Sequence, residues 1–163
     1  MVAADQIVSD QRKINLAKYI NEVISTLSVE MKKQNIDYHF TGPDDILITT
    51  IPGVLAQVLN NLVINSIVHG FDKKESGNIS IAVINMSEDS VEVQYKDDGI
   101  GMDSHTLENI FEPFFTTKRG KGSTGLGMNI VYNLVNQQLH GAISVTTDKG
   151  VGTFVSLTLP RSV

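Results

Sequence analysis

The sequence predicts an α/β (α+β) two-layer sandwich, in which helices cover one face of a mixed, mostly antiparallel sheet. Two pairs of segments alternate apolar and polar residues as strands do: NISIAVINM with SVEVQYKDD, and GAISVTTD with GTFVSLTLP. The second pair closes the chain as a hairpin around a turn at Lys149 and Gly150. Other segments carry apolar residues at helical spacing. Helices that interrupt a set of mostly antiparallel strands are typical of this class.

The first half of the chain contains two helices and two short strands. Residues 16–33 are predicted to form an amphipathic helix. Its apolar residues at helical spacing are Leu16, Ile20, Val23, Ile24, Leu27 and Met31. Residues 37–41 and 46–50 have the pattern of two strands separated by the turn GPDD. Pro52 opens a long helix to about residue 69, because proline is well placed in a first helical turn. The next helix covers residues 126–139, directly before the closing hairpin.

Composition restricts the class of protein. The chain has 163 residues, a usual length for one domain, and 41% hydrophobic with 19% charged residues is ordinary globular composition. A net charge of −5 argues against a general nucleic-acid binder, which normally has a basic face. Disulfides and thiolate metal sites are excluded because the chain has no cysteine. No apolar run reaches membrane-spanning length and the N-terminus lacks a signal-peptide core, so we expect a cytoplasmic domain.

A polar stripe runs along the helix PGVLAQVLNNLVINSIVHGF. At about 100° per residue, Asn61, Asn65 and His69 fall within one narrow sector, beside a broad apolar sector. One interpretation is a face turned to solvent, which is common in amphipathic helices. The other is a site for a hard cation, since Mg²⁺ prefers oxygen ligands and borrows further ligands from substrate phosphates.

The segment YKDDGIGMD places a carboxylate at the end of a strand. Asp97 ends the alternating pattern, and Gly99 and Gly101 follow it at alternate positions. A simple strand-to-loop turn also favours Asp and Gly. The functional interpretation is that Asp97 accepts a hydrogen bond from a ligand's exocyclic amine. The two glycines would then leave space for a flat ring beside the backbone.

The stretch TTKRGKGSTGLGMNIV, residues 116–131, places glycines and the cations Lys118, Arg119 and Lys121 directly before a helix. Glycine backbone can approach phosphate oxygens closely, and the free N–H groups of a first helical turn attract anions. A solvated surface loop is the alternative. The stretch is not a Walker loop, because Lys121 is followed by Gly122 rather than by Ser or Thr. It is not a dinucleotide fingerprint either, because no buried strand precedes it.

Taken together and in this order, these motifs resemble the catalytic and ATP-binding domain of sensor histidine kinases, in the ATPase superfamily shared with gyrase-type topoisomerases, heat-shock chaperones and mismatch-repair clamps. QVLNNLVINSIVHG resembles the N box, DDGIGM the first glycine box, FEPFFTT the F box and GSTGLGM the second glycine box. HGAISVTTDKGVGTFVSLTLP is similar to the closing hairpin, and the match covers nearly the whole chain from about Lys13. Ser66 departs from the pattern, because the family usually has alanine after the metal-binding asparagine.

The resemblance implies a role for each matching position. Asn65 would hold Mg²⁺ with help from Asn61, and His69 would face the phosphates of ATP. Asp97 would receive the adenine amino group, and Lys118, with Arg119 or Lys121, would reach the β- and γ-phosphates. The implied catalytic residues are Asn65, His69 and Lys118. The implied nucleotide-binding residues are Asn61, Asn65, His69, Asp97, Gly99, Gly101, Met102, Lys118, Gly125, Leu126, Gly127 and Thr153. Residues 103–124 would form a mobile lid over the nucleotide.

The implied function is that of an ATP-dependent protein histidine kinase domain in two-component signal transduction. It would bind Mg-ATP and donate the γ-phosphoryl group to a histidine on a separate dimerisation and phosphoacceptor hairpin. A response regulator would be an indirect partner. None of the chain's own histidines is followed by the acidic residue expected of an acceptor. The alternative is an ATP-gated protein-binding module without phosphoryl transfer.

The implied organisation is one catalytic domain with a short preceding segment. Residues 1–12 would be an N-terminal tail or the end of an upstream dimerisation helix, and residues 13–163 the catalytic domain. We expect this domain to be monomeric alone and to contact neither nucleic acid nor membrane. Whether a longer parent protein is membrane-anchored stays open.

Overall fold

A computed structural model of the chain describes residues 10–113 and 127–163. In chain order the elements are β1 (Arg12–Asn15), α1 (Leu16–Ser25), α2 (Ser28–Lys33), β2 (Ile36–Thr41), β3 (Leu47–Thr50), α3 (Pro52–Asn65), β4 (Gly77–Asn85), β5 (Ser90–Asp97), α4 (Ser104–Glu108), α5 (Gly127–Asn133), β6 (Ala142–Asp148) and β7 (Gly152–Pro160). Two π-helical turns extend the longer helices, Ser66–Gly70 after α3 and Leu134–Gln138 after α5. No helix in these two ranges is long and apolar enough to cross a membrane.

The main sheet has five strands in the order β2-β4-β5-β7-β6. β2 runs parallel to β4, and the other neighbouring pairs are antiparallel. Alternate residues of the central strands are buried on one face: Ile79, Ile81, Val83, Val91, Val93, Tyr95, Val155, Leu157 and Leu159. Buried residues of α1, α3 and α5 join them in one core. The predicted two-layer architecture with a mixed, mostly antiparallel sheet is therefore confirmed.

Helix α3 positions the polar stripe at the edge of this core. Its apolar side turns to the sheet and contains the buried residues Leu55, Val58, Leu59, Leu62 and Val63. The helix continues into a π-helical turn, in which the Phe71 N–H donates to the Ser66 carbonyl at 2.8 Å. The phenyl ring of Phe71 packs so closely on Gly77 that a Cβ there would lie 2.2 Å from it. This contact fixes the end of the turn against the start of β4.

Residues 16–33 form two helices rather than the single predicted helix. α1 ends at Ser25 and α2 begins at Ser28. Two hydroxyls compete for the carbonyls of the last turn: Ser25 Oγ donates to the Glu22 carbonyl, and Thr26 Oγ1 donates to the Val23 carbonyl, both at 2.6 Å. Such side-chain bonds favour a break in a helix. Because the apolar spacing continues across it, periodicity alone does not show the interruption.

The two strands flanking GPDD do not pair with one another. β2 joins the main sheet, whereas β3 pairs with β1 in a separate two-stranded sheet, with Arg12 opposite Thr50. At Gly42 the backbone has a φ of +142° and passes so close to Val83 that a Cβ would lie 2.8 Å from its carbonyl oxygen. The chain leaves the main sheet at this point. β1 has no counterpart in the sequence prediction, because its four residues are too short for a clear alternation.

The end of the chain lies along the free edge of β3. The Thr49 N–H donates to the Arg161 carbonyl at 2.7 Å, and the Val163 N–H donates to the Thr49 carbonyl at 2.9 Å. β3 therefore lies between β1 on one side and the last residues of the chain on the other.

Candidate functional site

A cavity of about 420 Å³ opens between the end of α3, the loop after β5, the β6–β7 turn and the start of α5. The predicted site residues that line it are Asn65, His69, Asp97, Gly101, Met102, Gly127 and Thr153. Apolar side chains form much of the remaining wall: Leu62, Ile100, Ile110, Met128, Val145 and Val155. A mostly apolar wall with a few convergent polar groups is typical of small-molecule sites. The structure thus brings residues from four separate motifs to one place.

Asp97 is the buried carboxylate of this cavity, with 4% of its surface exposed. Its Oδ1 accepts hydrogen bonds from the Gly99 N–H at 3.0 Å and the Thr153 N–H at 3.3 Å. Its Oδ2 accepts a hydrogen bond from Ser66 Oγ at 2.7 Å. Burial raises the pKa of the Asp97 carboxyl above its usual value, although these donors oppose the rise. The side chain is held in one orientation and presents an acceptor to the cavity.

Ser66 and Tyr95 form a buried chain of hydroxyls behind Asp97. Ser66 is 3% exposed and Tyr95 is 2% exposed. Their hydroxyl oxygens lie 2.6 Å apart, and the Tyr95 hydroxyl also lies 3.2 Å from the Leu62 carbonyl. From the sequence, Ser66 was only a departure from the alanine that is usual at this position in the family that the chain resembles. The partners that give its hydroxyl a role lie 29 and 31 residues further along the chain.

The structure requires glycine at the positions of Gly99 and Gly101 for a different reason from the predicted one. A Cβ at Gly99 would lie 2.3 Å from the Gly70 carbonyl oxygen, and one at Gly101 would lie 2.4 Å from the Asp148 carbonyl oxygen. Gly101 also has a φ of +70°, a conformation that side chains disfavour. Both glycines let segments of the protein backbone approach each other. Gly101 lines the cavity, and Gly99 reaches it only through its N–H bond to Asp97.

Backbone hydrogen bonds fasten the loop after β5 on both sides. The Ile100 N–H donates to the Gly70 carbonyl at 2.8 Å, and the Gly150 N–H donates to the Ile100 carbonyl at 2.7 Å. Thr147 adds a side-chain link, because its Oγ1 accepts from the Met102 N–H at 2.8 Å and donates to the Gly152 carbonyl at 3.0 Å. The loop is thereby fixed between α3 and the β6–β7 turn. Thr147 was not predicted, since a threonine in a strand carries no signal of this role.

Asn65 lines the cavity and lies against Gly127, the first described residue of α5. A Cβ at Gly127 would lie 3.1 Å from Asn65 Oδ1, so glycine leaves room for the amide there. Asn65 Nδ2 is buried without a hydrogen-bond partner among the residues that the structure describes. Asn61 Nδ2 is in the same situation one turn earlier, and Asn61 is absent from the cavity lining.

These residues fit a magnesium site in which water and the phosphates of a bound ligand supply most of the oxygen atoms. Within residues 10–113 and 127–163 no cluster of three or more histidine or acidic side chains could hold a metal alone. Mg²⁺ takes one or two protein oxygens and completes its shell with water and substrate phosphates. One amide oxygen of Asn65 at the cavity wall agrees with that chemistry.

Several predicted site residues lie outside the described part of the chain. They are Lys118, Gly125 and Leu126, together with the alternative cations Arg119 and Lys121. Of the expected lid, the structure describes residues 103–113, which begin with the short helix α4. Asp103 caps this helix, because its Oδ1 accepts from the Thr106 N–H at 2.8 Å.

Gly70 is a cavity residue that sequence reasoning missed. A Cβ there would lie 3.2 Å from Asp97 Oδ2, so its absence keeps open the space beside that oxygen. The dipeptide His-Gly at the end of the predicted helix contained a usable signal, since glycine commonly follows a helix end. It indicated a helix end, but not the contact with Asp97.

Comparison with known proteins gives one consistent family. The family described as histidine kinase-, DNA gyrase B- and HSP90-like ATPase matches residues 51–163. Sporulation kinase E of Bacillus subtilis is 30% identical over 161 residues, which are 98% of this chain and 21% of that protein. Sensor histidine kinase ZraS of Salmonella typhimurium is 34% identical over 148 residues, which are 90% of this chain and 30% of that protein.

Solved structures agree with the sequence relatives. The nucleotide-free catalytic domain of histidine kinase ThkA has a TM-score of 0.80 and 28% identity, covering 93% of this chain and 96% of that one. ThkA in complex with response regulator protein TrrA has a TM-score of 0.75 and 26% identity, covering 98% of this chain and 48% of that one. The chain spans 21% and 30% of the length of the two curated relatives named above.

Proposed function

Because the chain belongs to the family of histidine kinase-, DNA gyrase B- and HSP90-like ATPases, we propose that it is the ATP-binding catalytic domain of a protein histidine kinase. It binds Mg-ATP and donates the γ-phosphoryl group to a histidine on a separate dimerisation hairpin, in two-component signal transduction. In this proposal residues 13–163 are the catalytic domain and residues 1–12 precede it as a tail or as the end of a dimerisation helix.

The observation that carries the proposal is the buried carboxylate of Asp97 in the wall of an apolar cavity. A carboxylate accepts a hydrogen bond from the amino group of adenine and repels a carbonyl oxygen in the same place. Apolar walls at Ile100, Met128 and Val145 suit the faces of a flat base. Thr153 completes this end, because its N–H orients the carboxylate.

The other end of the cavity is proposed to receive the phosphates. Asn65 holds Mg²⁺ through its amide oxygen, with Asn61 in support, and His69 faces the phosphates. Mg²⁺ would supply charge neutralisation on the β- and γ-phosphate oxygens. Lys118, Gly125 and Leu126 belong to the same proposal through the motif that contains them, and Gly127 at the start of α5 lies beside Asn65. The protein's part in catalysis is positioning and electrostatic stabilisation, without a covalent intermediate on this chain.

The proposed partners follow from the reaction. A helical hairpin supplies the acceptor histidine, and a response regulator acts downstream; the complex of the relative ThkA with TrrA supports that second partner. We propose that the domain acts in the cytoplasm as a monomer, without nucleic acid or membrane contact of its own.

The test is phosphoryl transfer from γ-labelled ATP to a purified dimerisation hairpin bearing the acceptor histidine. We expect acid-labile, base-stable label on the hairpin with Mg²⁺ and the wild-type chain. Asp97→Asn should abolish most of the label, whereas Asp98→Asn, one residue away and bonded to Asn78 on the surface, should keep it. Tight ATP binding with no label on any tested hairpin would favour the ATP-gated binding module. No ATP binding at all would overturn the proposal.

A further inference from the structure

The hydrogen bonds to Asp97 leave one acceptor position for a ligand. An ionised carboxylate offers about four lone-pair positions, two on each oxygen. Oδ1 uses both of its positions for the N–H groups of Gly99 and Thr153. Oδ2 uses one for Ser66 Oγ. Among the described residues nothing else bonds to Oδ2, so one lone pair remains, on the oxygen beside the open space at Gly70.

The hydroxyls behind Asp97 have a defined direction of donation. Each hydroxyl has one proton to give. Ser66 gives its proton to the Asp97 carboxylate, which leaves Ser66 Oγ as the acceptor for the Tyr95 hydroxyl at 2.6 Å. Burial raises the pKa of the Tyr95 hydroxyl, so Tyr95 keeps its proton and stays a donor. The Tyr95 hydroxyl can also donate to the Leu62 carbonyl at 3.2 Å, but its contact with Ser66 Oγ is shorter and has no other proton available. The protons therefore run from Tyr95 to Ser66 to Asp97.

We propose that Ser66 and Tyr95 are positioning residues that determine nucleobase specificity, because they hold Asp97 with a single free acceptor facing the ligand. This inference rests on the proposed binding of ATP at the same cavity. An amino group finds its acceptor already oriented there. A base with a carbonyl at the same position meets the lone pair of Asp97 Oδ2 and gains no hydrogen bond from it, which is costly in a buried site.

Ser66 acts through Asp97 and does not share the amino group with it. The two hydrogens of an exocyclic amine diverge, so acceptors for both lie roughly 5 Å apart. Ser66 Oγ and Asp97 Oδ2 are 2.7 Å apart, which is too close for that arrangement. The role of Ser66 is therefore to occupy one lone pair of Oδ2 and to fix the direction of the other.

The experiment compares the affinities of ATP and inosine triphosphate, which has a carbonyl in place of the adenine amino group. Titration calorimetry with the whole chain gives both dissociation constants, and their ratio is the measured selectivity. Ser66→Ala should lower this ratio by on the order of tenfold, mainly through weaker ATP binding. Tyr95→Phe should lower it severalfold. That variant leaves the Leu62 carbonyl paired, because the Ser66 N–H also donates to it.

The double variant distinguishes a chain of donors from general damage. If Tyr95 acts through Ser66, then Ser66→Ala with Tyr95→Phe should lower the selectivity no further than Ser66→Ala alone. Ser66→Thr, which keeps the hydroxyl, should retain most of the selectivity. Tyr38→Phe is the matched control, since its hydroxyl donates to Asn21 at 2.8 Å outside the cavity and its loss should leave the ratio unchanged.

The outcomes separate this inference from the proposed function. A wild type that does not bind ATP would contradict the proposed function itself. A wild type that prefers ATP, with Ser66→Ala and Tyr95→Phe of unchanged selectivity, would overturn the inference alone. Equal losses of affinity for both nucleotides would show that the hydroxyls only support the fold. Should Ser66→Ala fail to fold, Tyr95→Phe still decides, because it removes one oxygen and leaves the packing in place.

Discussion

At the scale of single residues, the fold is more stable with Asp97 neutral, whereas the proposed binding of ATP uses the ionised carboxylate. Its side chain is buried, and burial raises the pKa of the Asp97 carboxyl from its ordinary value of 3.8. A raised pKa means that the ionised form is less favourable in the folded chain than in the unfolded chain. The contribution of Asp97 to the free energy of unfolding is therefore highest at low pH and falls as pH rises through the folded pKa.

Asp97→Asn should weaken ATP binding by on the order of 1–3 kcal/mol and should not destabilise the fold at neutral pH. Oδ1 of the amide can still accept from Gly99 and Thr153, and its nitrogen can donate to Ser66. Relative to the variant, the wild type should lose stability as pH rises above about 4. Urea unfolding at several pH values, with calorimetry for ATP, measures both effects.

Asp98→Asn is the control for that prediction, because its effect on stability should have the opposite sign. Burial acts to raise the pKa of the Asp98 carboxyl, but hydrogen bonds from Asn78 and the charge of Lys74 outweigh it and lower the pKa. Its contribution to stability is present above the unfolded pKa and is lost as pH falls through the lower folded pKa. Asp98→Asn should therefore lose stability at neutral pH. The same sign for both variants would contradict the environments described for the two carboxylates.

Asn65→Ala should weaken Mg²⁺-dependent ATP binding much more than metal-free adenosine binding, since Asn65 lies at the proposed phosphate end of the cavity. Calorimetry of the two ligands, each with and without Mg²⁺, checks this. Equal losses in all conditions would show a structural role, with Asn65 filling the space beside Gly127. Asn60→Ala, in the same helix but outside the cavity lining, is the matched control.

The sequence motifs predicted which of their own residues line the site, but not the contacts between residues of different motifs. Asn65, Asp97 and Thr153 were placed in the site by the resemblance, and the structure brings them to one cavity. The bond from Ser66 to Asp97 was not predicted, because it joins residues 31 positions apart in different motifs. Hydroxyls contribute through such partners, and a sequence does not show which partners the fold supplies.

At the scale of elements, the cavity depends on how the β6–β7 hairpin holds the loop after β5. Thr147 is the side-chain link between them. The sequence predicted the hairpin and both of its strands, since regular alternation continues over the whole length of each. It did not predict the helix break at Thr26 or the strand β1, because the first depends on side-chain competition and the second on a distant partner.

Thr147→Val should lower the free energy of unfolding by roughly 1–2 kcal/mol and also weaken ATP binding. Valine keeps the shape of threonine and removes the hydroxyl, so the Met102 N–H loses its acceptor. Thr147→Ser should restore both properties. Denaturant unfolding and calorimetry provide the two readings. An unchanged ATP affinity with lowered stability would show that the loop stays in place without this link.

At the scale of the whole chain, the proposed ATP site is present, but no histidine has the sequence neighbour of a phosphoacceptor. His39 precedes Phe40, His69 precedes Gly70, His105 precedes Thr106, and His140 precedes Gly141. An acceptor histidine needs a neighbouring acid that can take its proton. His69 also lines the cavity itself.

The chain incubated alone with γ-labelled ATP and Mg²⁺ should therefore remain unlabelled, with slow ATP hydrolysis at most. Filter binding after acid and base treatment distinguishes phosphohistidine from other labels. Stoichiometric phosphohistidine on the chain would show that the nucleophile has been misplaced.

The position of β3 has a consequence for the connectivity of the polypeptide. β1 and the last residues of the chain lie on the two edges of β3, so Arg12 and Ser162 are separated by about 10 Å, twice the spacing of neighbouring strands. The residues before Asp10 can span roughly 30 Å and would suffice to join the two ends. New termini can then be opened at the exposed turn between Pro43 and Asp44, because β2 and β3 belong to different sheets. Such a circularly permuted chain should fold and still bind ATP; loss of cooperative unfolding would show that this turn is needed to bring the two sheets together.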